Sequence, residues 1–357
     1  MPGGAESYSI RYVGYLKLSG LESAGMSLVD LRRPLPERVE VPDLAEAGAF
    51  EYSPEFVERT RYLLRGLEDF PRYPQFLADG LGGPDSRLMH FVKYLVPEIE
   101  YRCGSLEGKT VLDFGCGSGA STVALARRCK SVIAFDVDRE SIDLCRRRLT
   151  EHGLESRVRL VCANDIDEVK DQIGPVDLVL MCGVIEHLPI TQGDLRRNIV
   201  RTLFSLLKPS GSLYVYDTPN RVWPYDFHTT GMWWIPWMEP GSARAYGRAL
   251  RKGRYKESPR IAPGPRGLEQ AGAWGATYWE LMDYLKGENV SCLNTHPGNN
   301  KHIDYLGGAR RFRLVRYPFD FFVGLVARPF RIPITAFYPF LDNLVLVKNG
   351  TPARPNS

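Results

Sequence analysis

From Thr110 onward, short apolar runs alternate with stretches whose apolar residues recur every three or four positions. The runs "TVLDF", "SVIAF", "RVRLVC", "VDLVLMC" and "SLYVY" carry few polar interruptions, which is the pattern of strands buried on both faces. Between them Ile142, Cys145 and Leu149, and later Leu195, Ile199, Leu203 and Leu206, follow helical spacing. This alternation predicts an α/β fold, a parallel sheet with helices on both faces. Right-handed crossovers would bring the C-terminal ends of the strands to one edge, where ligands bind. "KPSG" at 208–211 is expected to stop the last of these helices and turn into "SLYVY".

The flanks are patterned differently. "SYSIRYVGYLKLSG" alternates enough for a strand, whereas "RRPLPERVEVPD" is broken by proline and reads as irregular. Ser53 and Pro54 have the form of an N-cap and first helical residue, with Phe56, Thr60, Leu63 and Leu67 following on one face. A second helix is expected along Leu88, Phe91, Leu95 and Ile99. Beyond Tyr216, residues 217–275 are crowded with Trp, Tyr, Pro and Gly and read as an insertion lying over the ligand edge. "TYWELMDYLKG" returns to helix, "FFVGLVARPF" reads as a short helix and "LDNLVLVKN" as a closing strand. The expected division is an irregular segment 1–50, a helical extension 51–105, a core 106–218, an aromatic-rich lid 219–275, and a C-terminal helix, tail and closing strand 276–349.

Composition narrows the function. The chain has 357 residues, 44% hydrophobic and 25% charged, which is ordinary for a globular protein. Its net charge of +4, from 46 basic against 42 acidic residues, is too small and too dispersed for a nucleic-acid footprint. Seven cysteines without a C-x-x-C pair fit reduced thiols and a cytoplasmic location. The first thirty residues show no signal pattern, and the uncharged run Ile332–Leu341 is too short to span a bilayer.

The chemistry concentrates in "VLDFGCGSGAS", placed between a strand and a helix. Gly115, Gly117 and Gly119, with Cys116 among them, suit a turn that needs positive φ and close approach of backbone to a ligand. Asp136 closes the next strand, where a carboxylate can accept hydrogen bonds from both hydroxyls of an adenosine ribose. Two cofactors fit this much. Gly115, Gly117 and Ala120 satisfy G-x-G-x-x-G/A, the fingerprint of a nicotinamide- or flavin-dependent oxidoreductase. Asp113 followed by G-x-G-x-G suits S-adenosylmethionine instead, whose cationic amine tolerates an acid that a pyrophosphate would not.

"VLDFGCGSGASTVALA", "VIAFDVDRESI", "DLVLMCGVIEHLP" and "LLKPSGSLYVYDTPNR" together resemble successive motifs of the class I S-adenosylmethionine-dependent methyltransferases, over residues 108–222. The resemblance implies a Rossmann-like sheet and that cofactor. It implies that Asp113 and the backbone at Gly115, Gly117 and Gly119 hold the methionine portion, Asp136 the ribose and Val137 the adenine. Asn164 or Asp165 would contact the adenine amino group, with Asn164 preferred, and Cys182 would lie next to the cofactor. The same part resembles quinone-biosynthesis O-methyltransferases, which pair "EH" with an acid three residues before the Glu. That position is Gly183 here, so no required metal is expected.

Methyl transfer from a sulfonium needs alignment more than a nucleophile motif; positioning can supply about 7–11 kcal/mol. His187 in "VIEHLP" and His228 in "WPYDFHTTG" are candidate bases for a hydroxyl acceptor, against plain structural roles for each. Trp223, Tyr225, Phe227, Trp233, Trp234 and Trp237 suggest an apolar or ring-containing small molecule, or simply anchors for the lid. "RALRKGRYKESPR" reads as a solvated basic loop, and the Phe-rich tail as core packing, with contact to a membrane surface as the lesser reading. Other readings are an RNA- or protein-directed methyltransferase, which the weak charge and the missing [DNS]-P-P-[YFW] motif disfavour, and a non-enzymatic binding fold, which the intact acids and glycines disfavour.

Overall fold

The computed structural model describes residues 48–68, 73–258, 261–295, 321, 323–327 and 329–350. The N-terminal strand expected in "SYSIRYVGYLKLSG" and the irregular segment after it lie outside the described residues. Five parallel strands form the centre: β1 (Thr110–Phe114), β2 (Ser131–Asp136), β3 (Val158–Cys162), β4 (Val176–Cys182) and β5 (Leu207–Tyr216). Two more, β6 (Val290–Cys292) and β7 (Leu344–Lys348), extend the sheet. The order is β3-β2-β1-β4-β5-β7-β6, with β7 antiparallel to both neighbours. Side chains on the two faces of the sheet fall into two separate apolar clusters: Val111 and Leu178 in one, Leu112 and Val179 in the other. Both faces are therefore covered, which is why the strand sequences show no polar alternation.

The extension opens with α1 (Pro54–Leu63). Ser53 caps it, its Oγ accepting the Phe56 N–H at 3.2 Å, and Phe56, Thr60 and Leu63 are buried. The next helices are α2 (Tyr73–Gly80), α3 (Arg87–His90) and α4 (Val96–Cys103), the last two joined by a π-helical turn at Phe91–Leu95. Leu88, Phe91, Leu95 and Ile99 are all buried, as their spacing predicts. The core helices are α5 (Ala120–Ala126), α6 (Arg139–Glu151) and α7 (Leu195–Ser205). Arg148 of α6 is wholly buried and joins the extension to the glycine loop: its guanidinium donates to the Gly80 carbonyl (2.7 Å), the Ser118 carbonyl (2.7 Å) and the Tyr52 hydroxyl (2.6 Å).

Three local expectations need correction. The "KPSG" segment lies inside β5 rather than ending a helix; α7 stops at Ser205, and the β4–β5 register shifts between Val176 and Leu178. The buried face of α7 is Arg196, Val200, Leu203 and Phe204, with Leu195 and Ile199 only half-buried. The arginine takes that place because carbonyls of the adjoining loops converge on it. The start of "RALRKGRYKESPR" is helical rather than loop: α8 spans Ala243–Lys252 and packs Ala245 and Ala249 against the insertion. The insertion also contains α9 (Pro265–Gln270), and α10 (Tyr278–Tyr284) follows it.

Candidate active site

At the C-terminal edge of β1, β2 and β4 lies a cleft that opens to solvent. The glycine loop forms one wall, with Gly115, Cys116 and Gly117, and Asp136 stands at its end. The three loop glycines serve different ends. All have positive φ (76°, 52° and 85°). A Cβ on Gly115 would lie 2.5 Å from Val184, and one on Gly119 2.4 Å from the Cys145 sulfur. Those two are glycines because protein packs beneath them. Gly117 has nothing within 4 Å of its notional Cβ, so it keeps open the space a ligand would take.

Asp136 Oδ2 accepts the Gly117 N–H at 2.8 Å, and Oδ1 accepts the Asp138 N–H at 2.9 Å. Each carboxylate oxygen keeps a lone pair for further donors. Burial pushes the Asp136 carboxyl up to about 6, against the pull of those amides. Asp113 stands behind the loop rather than in the cleft lining. It is 1% exposed and accepts from Ser121 Oγ (2.8 Å) and Thr122 Oγ1 (2.7 Å), so it pins the first turn of α5 to β1 from behind the loop. Val137, Asn164 and Asp165 are likewise not brought into the cleft lining. Val137 packs beside β3, Asn164 is exposed, and Asp165 caps a short turn by accepting the Asp167 N–H. Cys182 does line the cleft.

Two residues that the sequence analysis passed over stand opposite the glycine loop. Asp79 from α2 and Arg87 from α3 both line the cleft. Asp79 is 7% exposed, and its Oδ2 makes no hydrogen bond. Burial raises its carboxyl to about 7, with Arg87 lowering it and Asp217 raising it. Arg87 lies 3.8 Å from both Asp217 Oδ2 and the Cys182 sulfur, tying the ends of β4 and β5. A cation and an anion on one wall match the carboxylate and ammonium of a methionyl group. The sequence signals were faint: Arg87 directly after the Ser86 cap, and Asp79 in the last turn of the preceding short helix.

Beyond β4 the chain makes a tight turn at Ile185–His187, with Glu186 fully buried and His187 1% exposed. Arg196 holds the turn from behind, donating to the carbonyls of Leu188, Gly275 and Glu186. His187 lines the cleft, and its Nδ1 is 2.8 Å from the Gln270 carbonyl. A carbonyl only accepts, so Nδ1 carries the proton and Nε2 the lone pair. Burial lowers His187 to about 4, leaving it neutral at physiological pH. His228 stands with its ring centroid 5.4 Å from that of His187. None of the six lid aromatics is in the cleft lining. Trp223 and Trp237 donate their indole N–H to backbone carbonyls, and the rings of Tyr225, Trp233, Trp234 and Trp237 pack in turn in edge-on and tilted contacts.

Residues 111–211 match the family model described as a methyltransferase domain. The ubiquinone biosynthesis O-methyltransferase of Bordetella avium is 29% identical over 182 residues, covering 50% of this chain and 70% of that protein. Its counterpart from Pseudomonas paraeruginosa is 28% identical over 196 residues, covering 55% and 79%. The chain therefore carries a methyltransferase domain, in keeping with the class I S-adenosylmethionine-dependent enzymes whose motifs it resembles. Among solved structures, an S-adenosylmethionine-dependent methyltransferase from Clostridium acetobutylicum aligns over 36% of this chain and 49% of its own, at 21% identity and a TM-score of 0.31. S-Adenosylmethionine is the cofactor of this methyltransferase. The donor wall suits it: Asp136 has acceptor capacity for ribose hydroxyls, Gly117 leaves room, and Asp79 keeps an unbonded carboxylate oxygen. No helix among the described residues is long and apolar enough to cross a membrane.

Proposed function

We propose that this methyltransferase acts on a hydroxyl oxygen of a small apolar or ring-bearing molecule, and that Arg87 and Asp79 hold the charged methionyl end of the cofactor while Asp136 holds its ribose. The observation that carries the reading is that His187, with an unprotonated Nε2, lines the same cleft as the glycine loop. Bound S-adenosylmethionine supplies a methyl group already activated on a sulfonium. His187 Nε2 accepts the hydrogen bond of the acceptor hydroxyl, turns an oxygen lone pair toward the methyl carbon, and takes the proton as the oxygen–carbon bond forms. With a pKa of about 4 it is a weak base, so its larger contribution is alignment. The O-methyltransferase names of the relatives support oxygen as the atom modified.

Exposed rings outside the cleft support contact of the enzyme with an apolar surface. Trp233, Trp234 and Trp237 are about half exposed, and Phe321 and Phe330 of the tail are 74% and 72% exposed. These rings favour contact with an apolar surface such as a bilayer, through the insertion as well as the tail. The deciding experiment is a screen of hydroxylated aromatic acceptors for S-adenosylhomocysteine formation. His187→Ala should lose turnover while keeping cofactor binding. Turnover on amine acceptors alone, or an unaffected His187→Ala, would refute the assignment.

A further inference from the structure

The expectation of no required metal rested on the missing acid at Gly183. The structure brings a different third group to the same place. One donor atom from each of Glu186, His187 and His228 lies within 4.8 Å of the others. His228 arrives from the insertion, held by Asp226. That carboxylate accepts the N–H groups of His228 and Thr229, both at 2.9 Å, and of Thr230 at 2.7 Å.

Hydrogen bonding fixes the tautomer of both rings. His187 Nδ1–H donates to the Gln270 carbonyl. His228 Nδ1 is 2.9 Å from the Thr229 hydroxyl, whose own proton goes to the Ala271 carbonyl at 2.7 Å. Thr229 can then only accept from His228, so each imidazole carries its lone pair on Nε2. His187 Nε2 makes no hydrogen bond although the ring is buried, and it lies 3.8 Å from Glu186 Oε1. Two electron-rich atoms buried this close call for a positive charge between them. Space is reserved beside them: at Gly272, with φ of +90°, a Cβ would come within 3.0 Å of Glu186 and 3.1 Å of His228. Imidazoles oriented through their second nitrogen, together with a carboxylate, form the donor set of first-row divalent metals.

We propose that Glu186, His187 and His228 form a binding site for a divalent transition metal at the acceptor side of the cleft. A proton bridging Glu186 and His187 would use only two of the three donors that converge here. Three protein ligands leave coordination positions open, and an oxygen of the acceptor is the ligand those positions suit. With the metal bound, His187 Nε2 is a ligand, and the metal would replace it as the group that orients the acceptor oxygen.

The test uses the full chain, stripped by chelator and without cofactor, titrated with Co²⁺ and separately with Zn²⁺. We expect one equivalent of Co²⁺ with visible ligand-field bands, displaced by Zn²⁺. His228→Ala and Glu186→Gln should each weaken binding at least about tenfold. Absence of Co²⁺ and Zn²⁺ binding to the wild-type chain overturns the proposal, and so does undiminished binding by a folded His228→Ala protein. If His228→Ala does not fold, His228→Gln with the same readout replaces it. Calorimetry with S-adenosylmethionine on the same stripped protein separates failure of this site from failure of the methyltransferase reading.

Discussion

Asp136 finds its partners in the amides of Gly117 and Asp138, within its own strand–loop–helix neighbourhood, whereas His187 depends on Gln270, 83 positions along the chain. The donor wall is largely made by one supersecondary unit, and its geometry follows once β1 and β2 pair. The acceptor side gathers the turn after β4, the Asp226 turn and the end of α9. Its order depends on buried tethers such as Arg196 and on Asp226, which is itself 3% exposed. The lesson is that the donor wall is set by local strand pairing, while the opposite wall stands only as long as distant segments are tethered together.

The sharpest break of the contrast is Asp136→Ala. Two strong hydrogen bonds from the ribose would be lost, at about 1.5–3 kcal/mol each. Affinity for S-adenosylmethionine should fall by roughly two to four orders of magnitude in calorimetry, with metal uptake unchanged. A protein that still binds the cofactor tightly would remove the ribose role from Asp136.

A smaller effect should come from Asp79. Its folded pKa of about 7 lies above the ordinary 3.8, so folding favours the protonated form. That stabilisation is complete below pH 4 and disappears as pH rises through 7, by at most roughly 4 kcal/mol. Asp79→Asn should therefore raise the melting temperature of the cofactor-free protein at pH 8 more than at pH 5. It should also weaken the cofactor at pH 8. In the wild type, affinity should fall as pH drops below 7, because the ammonium loses its carboxylate.

The glycines sharpen the comparison within one wall. Gly119→Ala forces a methyl against Cys145 and should cost about 2–3 kcal/mol in denaturant unfolding. Gly117→Ala has room, so only its left-handed backbone is penalised, by about 1–2 kcal/mol, and its main effect should be on cofactor affinity. If both variants lose stability equally, the distinction between packing and access fails. The smallest effect is expected on the outer surface. Trp233→Ser with Trp234→Ser should change stability by under about 1 kcal/mol while reducing cosedimentation with phosphatidylglycerol vesicles; unchanged cosedimentation would leave the rings without that role.

The strands and the glycine loop were legible because burial on both faces and positive φ impose residue types that show in a linear string. Ser53, Leu88 and Ile99 likewise stand where capping and helical periodicity put them. Arg87 and Asp79 were not legible, since a charge beside a helix cap or in a helix's last turn looks the same whether it faces water or a cleft. His228 could be picked out as a candidate, but not its proximity to Glu186, which depends on how the insertion folds back. Arg196 was hidden by its apolar neighbours: the helical stripe through Leu195 and Ile199 pointed one position away from the face that is buried.

Arg148 has a consequence for how ligands exchange. Because one guanidinium is shared by Gly80 and Ser118, the roof and the wall beneath it are welded rather than hinged. Prising them apart would strand an arginine in an apolar interior, at several kcal/mol. Loading and emptying must then proceed sideways through the open mouth, with the extension serving as fixed masonry.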